Sequence, residues 1–272
     1  MAAARRNRYL DAMGVDIWVR RPGGVLAGVW EAPAGLGPEP VPPAPRPVEA
    51  PLAAGVASPQ QTPTPAQVPP APIVIEPVSA DAVARWDALR TEILTCTQCA
   101  LHQTRTQGVV GVGPQRTDWM VIGEAPGAEE DRRGEPFVGR AGHLLDAMLH
   151  AIGLNRGTNV YIANVLKSRP PGNRDPKPEE VAACLPYLMR QIALLQPRLM
   201  LAVGRIAAQN LLSTDMPLGR LRGKVHHFGE LNTPLIVTYH PAYLLRTPAD
   251  KRKAWEDLKF ARSVFRQLAD RP

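Results

Sequence analysis

Four short apolar runs mark the C-terminal two thirds of the chain, at 119–122, 159–163, 198–203 and 234–238. Continuous apolar runs of this length, bounded by turn residues, read as strands buried on both faces. Between and after them the apolar positions change to helical spacing, at 141–152, 178–195, 205–212 and 254–268. Strand and helix in alternation predict a four-stranded, mostly parallel sheet covered by helices on both faces, a three-layer α/β/α fold. Upstream, from about Ala82, Trp86, Leu89, Ile93 and Leu94 fall on one helical stripe that leads into Cys96.

The pattern breaks down before residue 81. Half of the chain's 30 prolines lie in residues 32–80, mixed with Ala, Val, Gln and Thr. Such a stretch neither nucleates a helix nor fills a strand ladder, and reads as a disordered, extended linker. The other reading is a Pro-rich ligand for a recognition module. Residues 1–31 regain some pattern. Tyr9, Leu10, Met13 and Ile17 have helical spacing, Gly14 is placed to end that helix, and 15–19 alternate like a short strand. So few residues bury no core of their own. They are expected either to dock on a partner or to fold back on the domain formed by 81–272.

Charge and cysteine content narrow the class. The net charge is +7, but residues 1–85 carry seven basic and seven acidic side chains, so the whole excess sits on the folded part. A basic domain suits a polyanion such as nucleic acid, although solubility alone also explains it. Three cysteines, Cys96, Cys99 and Cys184, make no disulfide framework. They point to a reducing compartment. No apolar run is long enough for a membrane span, and no apolar stretch follows Arg5, Arg6 and Arg8 to make a secretory signal.

Parallel sheets bind ligands beyond the carboxyl ends of their strands. The unusual residues gather there: Gly123 to Gly127 after the first run, Asn164 after the second, Gly204 after the third, His240 and Pro241 after the fourth. Singly, each has a structural reading as turn, cap or packing residue. Together they can face one cleft.

These segments resemble the iron–sulfur-containing family 4 uracil-DNA glycosylases. The resemblance runs through residues 123–131, 134–142 (with Phe137), 164–174 and 240–246, in the family's order and spacing over about 180 residues. It implies a uracil-DNA glycosylase-like fold and hydrolysis of the N-glycosidic bond of uracil in DNA, as in base excision repair. By the same resemblance Phe137 stacks on a flipped-out base, and the segment around Glu130 excludes the thymine methyl. Ala125 and Gly127 belong to the same pocket. The Asn164 amide offers one donor for O4 and one acceptor for N3–H, a pattern that cytosine reverses. His240 donates to O2 as charge develops there. Glu124 is the candidate for positioning water; other uracil glycosylases carry an aspartate one step later, where this chain has Ala125. Leu244 or Leu245 is expected to wedge into the duplex, with Arg246 near phosphate; core packing is the other reading of the leucines.

The family also implies a [4Fe–4S] cluster. Cys96 and Cys99 match its first two ligands and Cys184 its fourth, but the third position is Ser168. An oxygen is a harder ligand for iron than a thiolate. Serine ligation, an incomplete cluster and no cluster all stay open.

Residues 6–23 resemble a different protein, the N-terminal peptide of the psi subunit of the bacterial DNA polymerase III clamp loader. Met13 stands before Gly14, Trp18 follows, and then Arg20-Arg21-Pro22-Gly23. That resemblance implies anchoring of residues 5–30 on the clamp-loader collar. The leading expectation is therefore a glycosylase tethered to the replicase. The rival is a psi-like accessory subunit whose glycosylase-like domain is a non-catalytic binding module. A tRNA- or nucleotide-binding Rossmann protein is not the expectation, since the chain has no G-x-G-x-x-G turn.

Overall fold

The computed structural model describes residues 80–269. The N-terminal peptide (1–31) and all but the last residue of the linker (32–80) lie outside the described residues, as do 270–272.

The domain is a three-layer α/β/α sandwich. Its sheet runs in the order β2-β1-β3-β5-β4. Strands β1 (Trp119–Gly123), β2 (Val160–Asn164), β3 (Leu199–Val203) and β5 (Thr233–Thr238) are mutually parallel. The expected count of four strands needs correction to five: β4 (His226–Phe228) pairs antiparallel to β5 at the edge. Its three residues, His226-His227-Phe228, form no apolar run, and an edge strand half open to water needs none. Pro234 of β5 stands opposite His227, where the missing amide disturbs only this edge.

Side-chain alternation divides the core into two halves. Trp119 and Val121 of β1, Val160 and Ile162 of β2, and Leu199 and Leu201 of β3 pack toward α3 (Arg140–Ala151) and α8 (Lys251–Ala269). Their alternates Met120, Ile122, Tyr161, Ala163, Met200 and Ala202 pack toward α4 (Pro178–Leu195) and α5 (Arg205–Leu212). Both faces are apolar, which is why the strand runs are continuous rather than alternating. Helix α1 (Ala80–Thr95) buries Trp86, Leu89 and Ile93; Leu94, placed on the same stripe by spacing, is exposed. Leu89 and Ile93 meet Val110, Tyr187 and Leu194, so α1 docks on α4.

Among the described residues the remaining α-helices are short: α2 (Ala128–Arg133), α6 (Leu218–Leu221) and α7 (Pro241–Arg246). Helices α2 and α7 begin just past the carboxyl ends of β1 and β5, so the turns that launch them rim the same edge of the sheet.

Candidate functional site

A cleft of about 490 Å³ opens at that edge, lined by residues 124–130, Phe137, Asn164, His240, and part of the loop after β2. Every pocket residue expected from sequence, Glu124, Ala125, Gly127, Glu130, Phe137, Asn164 and His240, lies on its wall.

Asn164 forms the floor. It ends β2 opposite Gly123, the last residue of β1. The two strands stay side by side for two further residues, as Val165 N–H donates to the Gly123 carbonyl at 2.9 Å and Leu166 N–H to the Glu124 carbonyl at 3.0 Å. A side chain at position 123 would displace both groups, since a Cβ would lie 2.4 Å from Asn164 Oδ1 and 2.5 Å from the Phe137 ring. Lys167, itself buried, loops back so that Nζ donates to the Asn164 carbonyl at 2.7 Å and to Gln191 Oε1 at 2.6 Å. The Gln191 amide donates in turn to the Val110 carbonyl at 2.8 Å. Asn164 is thus held by its backbone from below, while its Oδ1 is buried without a hydrogen-bond partner. A buried acceptor left bare is unfavourable by about 1–3 kcal/mol, so its position at the floor of a cleft marks a place for a ligand donor.

His240 is the N-cap of α7. Its Nδ1 accepts from the Ala242 amide at 3.1 Å. That contact leaves the proton of the neutral ring on Nε2. Burial, with Arg246 adding to it, pushes His240 down to about 4, so the ring is neutral at pH 7. Its packing depends on Gly204, where a Cβ would stand 3.0 Å from the Cβ of His240. The Phe137 ring lies 5.6 Å away by centroids, tilted by 32°. Phe137 is buried and has φ = 55°, a left-handed conformation that a bulky side chain adopts only under restraint.

Glu130 accepts the amides of Val138 and Gly139 at 2.9 and 3.0 Å, which fixes its carboxylate as a rigid wall at the start of α3. Glu124 stands partly buried at the mouth. Desolvation, reinforced by the charge of Asp175 and opposed by Arg205, raises its carboxyl to about 7. Arg205 is itself bound to Asp175 at 2.8 Å.

At α7 one expectation is corrected. Leu244 is 1% exposed and belongs to the core beneath the sheet, so it cannot reach a duplex. Leu245 is 37% exposed and Arg246 is also exposed. Sequence reasoning missed Lys167, and it missed Arg156, which holds the Phe137 loop; both act across loops, where spacing carries no signal.

The four positions of the implied iron–sulfur cluster can be tested on their donors. Cys184 is buried and its thiol is raised, first by desolvation, with Cys99 and Cys96 near enough to add to the effect. Ser168 is buried too, but its Oγ accepts from Arg105 at 2.8 Å. The same guanidinium donates to the carbonyls of Leu94 and Cys96, each at 2.9 Å. Among the described residues no three His, Cys, Asp or Glu side chains form a group that could hold a metal ion. Three thiols and a guanidinium-bound hydroxyl do not fit a cluster held by four thiolates.

Comparison with known proteins settles the family. Residues 110–259 match the family model of the uracil DNA glycosylase superfamily. The chain belongs to this superfamily. It is 45% identical over 179 residues to a type-4 uracil-DNA glycosylase of Archaeoglobus fulgidus, covering 64% of this chain and 89% of that protein. A type-4 uracil-DNA glycosylase of Thermotoga maritima is 42% identical over 176 residues, covering 63% and 90%. Similarity to a type-5 enzyme of Thermus thermophilus is narrower, 35% over 119 residues, covering 39% and 54%. The superfamily match takes in β1 through the first half of α8.

Two predictions follow from the site's electrostatics and donors. A carboxyl raised in the folded state favours folding while protonated and loses that contribution as pH rises toward its folded value. Glu124→Gln is therefore expected to unfold at a higher temperature than the parent at pH 8, with the gain shrinking toward pH 4.5. A gain independent of pH would contradict the burial account of Glu124. Ser168→Cys completes the set of four thiols and is expected to carry more iron and sulfide per chain than the parent after identical anaerobic purification. Equal contents would show that Ser168 is not the limiting position.

Proposed function

We propose that this chain is a monofunctional uracil-DNA glycosylase that hydrolyses the N-glycosidic bond of deoxyuridine and leaves an abasic site. The observation that carries the reading is the bare Oδ1 of Asn164 at the floor of a cleft, beside a neutral imidazole whose Nε2 carries the proton. One acceptor and one neutral donor suit the N3–H and the O2 of a uracil ring. The names of the relatives support the same activity.

A base in a duplex must be extruded before it fits such a cleft. Phe137 offers the stacking face, and the fixed Glu130 wall leaves no room for a methyl at C5. With Oδ1 of Asn164 accepting N3–H, its amide donates to O4; cytosine would set donor against donor and leave buried groups unpaired. As the bond between N1 and C1′ breaks, its electron pair passes to the uracil ring and charge builds on O2. The His240 Nε2–H is fixed in place to meet it, without being a cation. Water then adds at C1′, positioned by Glu124 as carboxylate, and the proton it gives up neutralises the departing uracil at N1. Outside the pocket, the half-exposed Leu245 fills the gap in the stack and Arg246 meets phosphate.

Several finer readings rest on sequence alone. Anchoring of residues 5–30 on a clamp-loader collar, with a nucleoid-associated life in a bacterial cytoplasm, is the proposal drawn from the psi-like peptide, which lies outside the described residues. An iron–sulfur cluster of the type-4 kind, incomplete at Ser168, is the corresponding proposal for Cys96, Cys99 and Cys184. No step of the chemistry above runs through it. The accessory-subunit alternative, with a non-catalytic domain, is the weaker reading, because an aromatic ring, a carboxamide, a neutral imidazole and a carboxyl group line one cleft.

Uracil release tests the proposal. Incubation with single-stranded and duplex oligonucleotides bearing one uracil, followed by alkaline cleavage, is expected to cut at the uracil. His240→Ala is expected to slow release by on the order of 10²-fold, the usual effect of removing a donor at developing charge. No release by folded parent protein would overturn the enzyme reading and return weight to the accessory role.

A further inference from the structure

The Phe137 ring can serve as a stacking face only if its loop is held, because nothing local favours a left-handed phenylalanine. Three restraints act on it. From one side Glu130 grips the amides of Val138 and Gly139. From α3 the helix backbone presses so close that a Cβ at Gly142 would meet the Phe137 carbonyl at 1.8 Å. The third restraint is Arg156, in the turn between α3 and β2, outside the cleft lining. Its Nη1 donates to the Pro136 carbonyl at 2.9 Å and its Nη2 to the Phe137 carbonyl at 2.7 Å. The Arg156 side chain is only 18% exposed, and its guanidinium is oriented by Asp146, which accepts from Nε at 2.8 Å, and by Glu135 at 3.3 Å.

We infer that Arg156 is a positioning residue for base recognition: by holding the Pro136 and Phe137 carbonyls it fixes the Phe137 ring as one wall of the uracil slot. Arg156 touches neither base nor sugar and acts through Phe137. A planar fork is required, since two carbonyls and two carboxylates are served at once from one side chain; a lysine ammonium is a single point and serves one of them well. Stacking holds the base alike before and during bond cleavage. Its loss therefore weakens binding of substrate and of free uracil more than it slows the chemical step.

The inference rests on the glycosylase reading, and the test separates the two. Parent, Arg156→Lys and Arg156→Met are compared in the full chain for KM, kcat and inhibition by free uracil, and hydrogen exchange is followed over residues 134–139. For Arg156→Met, KM and the uracil inhibition constant are expected to rise about three- to tenfold, the range of one aromatic stacking contact, with kcat changed less. Exchange of 134–139 is expected to speed up while β1 and β2 stay protected, and Arg156→Lys is expected to fall between. Should Arg156→Met fail to fold, Asp146→Asn, which frees the guanidinium but keeps it, is expected to give a smaller shift of the same kind. A merely structural Arg156 would lower the unfolding temperature and leave KM and uracil inhibition within twofold of the parent; that result, or unchanged exchange of 134–139, overturns the inference. A parent without uracil release overturns the glycosylase reading instead, and the exchange measurement still decides whether Arg156 holds the loop.

Discussion

A carbonyl oxygen buried without a partner is the constraint on which this site turns. Asn164 Oδ1 could be satisfied by a small shift of its amide toward water or toward a neighbouring donor, and much of the surrounding structure prevents that shift. The pairing of β1 with β2 fixes its backbone opposite Gly123. The Nζ of Lys167, which donates to its carbonyl, holds it from inside the fold. The absence of a side chain at Gly123 lets the amide and the Phe137 ring approach the strand end together. The penalty for a bare acceptor is thus maintained by packing and relieved only by a ligand, which is how a buried polar group becomes selective rather than merely unfavourable.

The same desolvation governs the two titrating groups at the cleft, in opposite directions. It pushes His240 down to about 4 and Glu124 up to about 7. Both shifts favour the uncharged form, so at rest the cleft carries less charge than its residue types imply. A neutral imidazole keeps its Nε2 proton to donate, which an imidazolium would also do, but only after losing the Ala242 contact at Nδ1 that aims the ring. A carboxyl near 7 is charged in about half the molecules at neutral pH and responds to small changes around it.

Much of this was legible in the sequence, for identifiable reasons. The four long strands announce themselves because both faces are buried, and helices 178–195 and 205–212 match α4 and α5 to the residue. Strand β4 and helices α2, α6 and α7 were missed; at three to six residues they are shorter than the window over which periodicity accumulates. Asn164 and His240 stood out because strand ends in parallel sheets are where ligands bind. Leu244 and Leu245 show the limit of such reading, since adjacent residues on a short helix point about 100° apart and only packing tells which one is core. Lys167 and Arg156 were invisible for another reason. Each contributes through a backbone carbonyl brought near by the fold, and no residue type at that partner position records the contact.

The central claim is that Asn164 reads the base edge, and the most direct measurement is the ratio of uracil to cytosine release by parent and Asn164→Asp proteins on otherwise identical oligonucleotides. A protonated aspartate can carry its donor on either oxygen and so present the order cytosine needs, whereas the asparagine amide in the orientation seen here sets its NH2 against the cytosine amine. The account predicts that uracil release falls by two or more orders of magnitude while cytosine release becomes detectable, so the ratio collapses. An Asn164→Asp protein that keeps the parent's ratio would contradict it and place base selection elsewhere in the cleft.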